Sequence, residues 1–136
     1  MWQRAPGAYS GTRWCEVVRL LIVDDHAAAR TGLRLRLTRE PDLSIVGEAG
    51  DMRQALQLAE AHSPDVVLMD LSLGDGDGLE LVEHVRTVAP DSDFVLLTLE
   101  DSLHNRRRAD EVGVRAVVGK HEPTEVLLQA IRALRA

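Results

Sequence analysis

The sequence predicts an α/β domain in which helices cover both faces of a parallel sheet. Five short apolar runs alternate along the chain with five segments whose apolar residues recur at helical spacing. Such alternation is typical of parallel strands joined by helical crossovers. The third run, Val66–Asp70, begins with four consecutive apolar residues, as expected of a strand buried on both faces. It ends on a carboxylate, and Gly74, Gly76 and Gly78 follow. Open α/β sheets carry their ligands beyond the carboxyl ends of their strands, so Asp70 is the first candidate for a functional residue.

Each predicted strand is an apolar run, rich in β-branched residues, that stops at a polar or small residue. The predicted strands are Val18–Val23, Leu43–Ala49, Val66–Asp70, Phe94–Thr98 and Ala116–Val118. The predicted helices carry apolar residues three or four positions apart and stop near proline or glycine. In order, they run from His26 to Arg39, from a cap at Asp51 to Ser63, from Leu79 to Val88, from Ser102 to Val112, and from about Thr124, a possible cap, through Leu134.

The composition favours one cytoplasmic domain. A chain of 136 residues with 45% hydrophobic content can bury a single core. Its net charge of −6 argues against direct contact with nucleic acid. It has no secretory or membrane-spanning run, and its single cysteine, Cys15, cannot form an internal disulfide. Residues 1–16 show no periodicity, so we expect a disordered leader before a domain at residues 17–136. The tryptophans of the leader, Trp2 and Trp14, leave a docking role open.

Polar side chains follow four of the five predicted strands. Asp24 and Asp25 follow the first strand, Asp70 ends the third, Thr98 ends the fourth, and Lys120 follows the fifth. The carboxyl ends of parallel strands share one edge of a sheet, so these side chains should converge. Carboxylates about 5 Å apart repel each other by on the order of 3 kcal/mol per pair at an effective dielectric constant near 20. An oxygen-rich site of this kind favours Mg²⁺ as its counter-ion.

The same group of side chains suits phosphoryl transfer to a carboxylate. Asp70 would be the nucleophile, while Mg²⁺ and Lys120 would neutralise the charge of the moving phosphoryl group. Thr98 would donate a hydrogen bond to one phosphoryl oxygen. Lys120 is the only lysine beside fifteen arginines, which indicates a position that needs a compact ammonium. The five histidines lack metal-ligand spacing, and only His26 lies near the acidic pair in sequence.

Four motifs, in order, resemble the receiver domain of two-component response regulators. They are the acidic turn Asp24-Asp25-His26, the block VVLMDLSLGDGDGLEL with its phosphoacceptor, the segment VLLTLED and the segment GVRAVVGK with its terminal lysine. The resemblance covers residues 17–136. The sequences of the motifs are most similar to those of regulators whose receiver precedes a helix-turn-helix output domain of the LuxR/NarL type.

This resemblance implies a flavodoxin-like (βα)5 three-layer sandwich whose five-stranded parallel sheet has the order 2-1-3-4-5. It implies that a sensor histidine kinase phosphorylates Asp70. It also implies that Asp25, Asp70 and the backbone carbonyl of Ser72 bind Mg²⁺ directly, with Asp24 acting through water. Such a domain is a switch that assists its own phosphorylation and hydrolysis, rather than an enzyme that acts on a separate substrate.

Three positions depart from the family pattern. Val117 replaces the usual aromatic residue of the fifth strand, Leu99 replaces a small residue after the threonine, and Gly74 replaces a frequent proline. The resemblance implies a signalling face on the fourth helix, fifth strand and fifth helix, with Val117, Arg106 and Arg107 as candidate residues and homodimerisation as a possible use.

Two other functions stay open at this point. The chain could be a protein-interaction module that works without phosphorylation, or a small Mg²⁺-dependent phosphatase that forms an aspartyl phosphate. Regulation of transcription would need an output domain outside this chain, because no base-reading element is present here. We therefore expect no direct contact with nucleic acid and no contact with membranes.

Overall fold

The computed structural model describes residues 17–74 and 76–135, which form seven strands and five helices. The predicted leader at residues 1–16, with both tryptophans and the cysteine, lies outside the described residues. The strands are β1 (Val18–Val23), β2 (Leu43–Ala49), β3 (Val66–Asp70), β4 (Ser72–Leu73), β5 (Gly76–Asp77), β6 (Asp93–Thr98) and β7 (Ala116–Gly119). The helices are α1 (Ala27–Leu37), α2 (Met52–His62), α3 (Gly78–Val88), α4 (Leu103–Glu111) and α5 (Thr124–Leu134).

The central sheet has five parallel strands in the order β2-β1-β3-β6-β7. This is the predicted order 2-1-3-4-5, because β4 and β5 form a separate antiparallel pair of two residues each. The register sets Ile22 opposite Leu68 and Leu68 opposite Val95, so the strands end at a common edge. The predicted flavodoxin-like (βα)5 fold is confirmed.

Each face of the sheet has its own apolar core. One core packs α2, α3 and the buried side of α4 against residues such as Leu21, Val67 and Leu96. The other packs α1 and α5 against alternate residues such as Leu20, Leu68 and Val95. All five residues of β3 are buried, because this strand lies in the middle of the sheet with helices on both sides. No helix in the described part of the chain is long and apolar enough to cross a membrane.

Several predicted bounds differ from the structure by one residue at an end, and three other details change. Helix α1 is shorter than predicted, since His26 is its N-cap and Thr38 its C-cap. The N-cap of α5 is Pro123, so Thr124 is the first helical residue and not the cap. The segment after Asp70 forms the β4–β5 pair, which is not among the predicted strands. The predicted cap Asp51 is confirmed, because its side chain accepts a hydrogen bond from the Gln54 N–H.

Candidate functional site

Asp70 lies at the carboxyl end of β3, between β1 and β6, and is 7% exposed. The buried run of β3 fixes its backbone, so the carboxylate emerges at the edge of the sheet with little freedom. Asp24 and Asp25 follow β1 on one side, and Thr98 ends β6 on the other. Asp24 and Thr98 are also buried. The side chains predicted from the strand ends therefore lie along one edge.

Lys120 joins two of these carboxylates. Its Nζ lies 2.8 Å from Asp70 Oδ2 and 3.2 Å from Asp24 Oδ2. Its backbone N–H donates to the carbonyl of Thr98 at 2.7 Å, which anchors the residue beside the end of β6. Burial by itself would lower the pKa of Lys120, but the hydrogen bond and charge of Asp70, together with Asp24, outweigh this effect and raise the pKa. Lys120 is therefore positively charged at neutral pH.

The acidic side of the site holds more negative charge than Lys120 can balance. Three carboxylates and one ammonium leave two negative charges, the charge that a divalent cation would neutralise. Asp25 Oδ1 is buried without a hydrogen-bond partner among the described residues. A Cβ atom at Gly74 would lie 3.0 Å from Asp25 Oδ2, so the glycine keeps the space beside this carboxylate open. An unsatisfied buried oxygen, open space and a surplus of negative charge all fit a bound divalent ion.

The segment after β3 returns towards Asp70. The Ser72 N–H donates to Asp70 Oδ1 at 3.2 Å, and the Gly78 N–H donates to the Leu71 carbonyl at 2.7 Å. A Cβ atom at Gly78 would lie 2.2 Å from the Asp70 carbonyl oxygen, so α3 starts in contact with the backbone of β3. The use of the Ser72 carbonyl as a metal ligand stays a prediction.

Thr98 lies beside the site, but its hydroxyl is bound to its own loop. Its Oγ1 donates to the Glu100 carbonyl at 3.1 Å and accepts from the Glu100 N–H at 3.0 Å. The same carbonyl accepts from the Asn105 side chain at 2.9 Å and from the Ser102 N–H at 3.1 Å. The Glu100 carbonyl therefore still accepts two hydrogen bonds if the Thr98 hydroxyl turns towards a phosphoryl group.

The candidate signalling residues differ in their surroundings. Val117 is half-buried and packs against the core, whereas Arg107 is exposed. Arg106 makes two hydrogen bonds to Asp101, at 2.6 and 2.7 Å. These bonds raise the pKa of Arg106 and lower that of Asp101. Leu99 is 68% exposed, so its side chain does not pack into the acidic site.

Two contacts were not predicted from the sequence. The imidazole Nδ1 of His26 lies 3.0 Å from Asp25 Oδ1 and 3.4 Å from Asp24 Oδ1. Arg108 forms an ion pair with Asp77, the N-cap of α3. The position of His26 directly after the acidic pair was a signal for the first contact. No local pattern indicated the second, because the two residues are 31 positions apart.

A family model described as response regulator receiver domain matches residues 20–132. The chain belongs to this family. It is a receiver domain of two-component response regulators, of the LuxR/NarL type, and domains of this kind act in signalling. The motifs that carried the resemblance therefore indicated the correct family.

Three relatives illustrate the similarity. The nitrate/nitrite response regulator protein NarP of Escherichia coli (strain K12) is 34% identical over 115 residues, which cover 85% of this chain and 54% of NarP. A LuxR-family two-component response regulator from Aurantimonas sp. SI85-9A1 matches with a TM-score of 0.82 and 32% identity, covering 88% of this chain and 85% of that one. A response regulator from Burkholderia pseudomallei, solved with a phosphorylated aspartic acid, a calcium ion and citrate, matches with a TM-score of 0.76 and 26% identity, covering 84% and 66%. The chain spans about half the length of the curated relatives it matches.

Proposed function

We propose that Asp70 accepts a phosphoryl group from a sensor histidine kinase and that phosphorylation switches a signalling surface of the domain. The observation that carries this proposal is the position of Lys120, whose ammonium lies 2.8 Å from Asp70 Oδ2. An ammonium beside a carboxylate at the open edge of a sheet can neutralise the oxygens of an incoming phosphoryl group. The phosphorylated aspartic acid of the Burkholderia relative supports the same assignment.

In the proposed transfer, the phosphorus–nitrogen bond of a phosphohistidine breaks while a bond forms between phosphorus and an Asp70 oxygen. The imidazole of the kinase is the leaving group. Lys120 stays near the acceptor and stabilises the charge on the phosphoryl oxygens. Thr98 turns its hydroxyl from the Glu100 carbonyl to one of these oxygens, at little cost because Glu100 retains two donors.

A divalent ion would be held by Asp25, Asp70 and the Ser72 carbonyl, with Asp24 binding through water. When bound, Mg²⁺ supplies positive charge that offsets the repulsion between the carboxylates and the phosphoryl group. The Asp25 Oδ1 atom, which accepts no hydrogen bond among the described residues, and the space beside Gly74 support this assignment. The same arrangement would let the domain assist hydrolysis of its own aspartyl phosphate.

The full-length protein would regulate transcription through an output domain outside this chain. The LuxR-family classification of the Aurantimonas relative and the half-length match to the curated regulators support this proposal. Residues 17–136 would form the receiver, act in the cytoplasm and contact no nucleic acid directly. A homodimer through α4, β7 and α5 is a further proposal for the signalling surface.

The test is incubation of the full chain with acetyl phosphate and Mg²⁺, followed by intact-mass measurement. The wild type should gain one phosphate and Asp70→Asn none. Asp91→Asn is the matched control, because this exposed carboxylate lies just before β6, at the opposite edge of the sheet. Loss of the added mass over time, slowed by removal of Mg²⁺, would support self-catalysed hydrolysis. A folded wild type that takes up no phosphate would contradict the proposal and favour the interaction-module function.

A further inference from the structure

Asn105 occupies a position of α4 that ordinarily carries an apolar residue. It is 7% exposed and lies about one helical turn before Ala109, the other buried residue of this helix. Buried positions four residues apart form the face by which a helix packs on a sheet, and apolar side chains favour such a face. A polar side chain there costs free energy unless it is hydrogen-bonded. The packing of α4 therefore does not explain the asparagine.

The side-chain amide of Asn105 makes a contact that no apolar residue could replace. Its Nδ2 donates a hydrogen bond to the Glu100 carbonyl at 2.9 Å. The same carbonyl accepts from the Thr98 hydroxyl at 3.1 Å and from the Ser102 N–H at 3.1 Å. Three donors thus share one carbonyl oxygen, which has two lone pairs. Each donor gains less from this shared acceptor than it would gain from an acceptor of its own.

This sharing matters for Thr98, because its hydroxyl has to leave the Glu100 carbonyl in the proposed phosphoryl transfer. After the hydroxyl has turned away, the carbonyl keeps two donors, one for each lone pair. Without the Asn105 amide, the hydroxyl would be one of two donors, and its departure would leave one lone pair without a partner. Loss of a hydrogen bond costs more when the partner is left unsatisfied. Asn105 therefore makes the Thr98 hydroxyl easier to release.

We propose that Asn105 is a positioning residue that favours phosphoryl binding by Thr98, because its amide competes with the Thr98 hydroxyl for the Glu100 carbonyl. The proposal rests on the proposed function and adds to it a residue outside the acidic site. Asn105 acts through Glu100 and Thr98, not on the phosphoryl group itself. Since Asn105 belongs to α4, the competition also links the position of the hydroxyl to the helix that carries part of the proposed signalling face.

The test is the initial rate at which the full chain gains phosphate from acetyl phosphate and Mg²⁺, measured by intact mass. Asn105→Ala should lower this rate about fivefold, the effect of roughly one neutral hydrogen bond. The same substitution in a Thr98→Val protein should change the rate by less than about twofold, because the competing hydroxyl is already absent. His104→Ala is the matched control, since His104 is an exposed neighbour on α4, and it should leave the rate unchanged. Alanine is favoured in helices, so Asn105→Ala should fold.

Urea unfolding gives a second comparison that needs no phosphate. Thr98→Val should raise the equilibrium constant for unfolding about threefold more in the Asn105→Ala protein than in the wild type. The reason is that the hydroxyl no longer shares the carbonyl with the amide, so its hydrogen bond contributes more. Equal effects of Thr98→Val in the two proteins would show that the two donors do not compete, which would overturn the proposal.

Two results of the rate measurement would also overturn the proposal. One is an equal fall in rate for Asn105→Ala with and without the Thr98 hydroxyl, which would mean that the asparagine acts only through the packing of α4. The other is an unchanged rate in Asn105→Ala. A wild type that gains no phosphate would contradict the proposed function instead, and the unfolding comparison would still decide whether the amide and the hydroxyl compete for the carbonyl.

Discussion

Replacing Gly78 by alanine tests how closely α3 must approach the proposed phosphoacceptor. Gly78 is the first residue of α3, and its φ is not positive, so an alanine there has no backbone penalty of the left-handed kind. The obstacle is steric, since a Cβ atom would lie 2.2 Å from the Asp70 carbonyl oxygen and 3.1 Å from the Leu71 carbonyl oxygen. Ordinary carbon–oxygen contacts are about 3.3 Å, so α3 and β3 must separate by about 1 Å.

That separation loosens the packing of α3, which buries Leu79, Leu81, Val82 and Val85. Overpacking of a fitted core costs about 1–3 kcal/mol, and we expect Gly78→Ala to lower the free energy of unfolding by about 2 kcal/mol. With a urea m-value of about 2 kcal/mol per molar, the midpoint should fall by about 1 M. Phosphate uptake should fall as well, because the displaced carbonyl belongs to Asp70.

Gly32→Ala is the matched control for this experiment. Gly32 lies inside α1, and a Cβ atom there would have nothing within 4 Å. Alanine should therefore raise the free energy of unfolding by about 0.5–1 kcal/mol through helix propensity alone. Far-UV circular dichroism is the suitable signal, because Phe94 is the only aromatic residue of 17–136. A Gly78→Ala protein within about 0.5 kcal/mol of the wild type would refute the steric argument.

Three further predictions concern the site and the surface that reports its state. Lys120→Met should lower the free energy of unfolding without metal by about 2 kcal/mol, and the loss should stay constant between about pH 7 and pH 9.5. The pKa of Lys120 is raised, so its ammonium contributes fully to the free energy of unfolding below the ordinary lysine pKa of about 10.4, and this contribution is lost only as the pH rises through the raised value. A loss that shrinks within this window in urea titrations would contradict the assignment. Val117→Tyr should leave phosphate uptake from acetyl phosphate largely unchanged, because Val117 contacts the core and not the acidic group; a large fall in the added mass would be evidence against this separation. Amide hydrogen exchange should be faster in α4 than in α3, and the exchange rate of α4 should change after addition of beryllofluoride, a phosphate analogue. Identical exchange in α4 with and without this analogue would show that α4 does not report the state of the site.

The sequence was sufficient to predict the sheet and the residues at its edge. Apolar runs that stop abruptly at Asp70, Thr98 and Lys120 encode both the burial of each strand and the position where it ends. Because parallel strands end on one side, the meeting of Lys120 with Asp70 follows from topology, although they are 50 positions apart. Burial and strand direction are properties that hydrophobic patterns carry directly.

Contacts that depend on side-chain rotamers could not be predicted in this way. Nothing in the pattern around Thr98 showed that its hydroxyl would bind the Glu100 backbone. The ring of His26 could have extended into solvent as easily as it turns towards Asp25. The β4–β5 pair was also missed, because two-residue strands are too short to produce an alternating pattern. Each of these features depends on local geometry that hydrophobic patterns do not encode.

Helix α4 joins the proposed acceptor site to the outer surface mainly through polar contacts. It buries only Asn105 and Ala109, whereas α3 is held by four large apolar side chains. The Asn105 side chain donates to the same Glu100 carbonyl that accepts the hydroxyl of Thr98. Arg108 pairs with Asp77, the last residue of β5 and the N-cap of α3. Both polar anchors of α4 thus lie on segments that leave the site, at Glu100 after β6 and at Asp77 before α3, so a rearrangement around Asp70 would act on the contacts that hold α4. A helix held in this way can shift at low cost, which gives a physical reason to place the reporting surface on α4 even though Val117 supplies no aromatic ring.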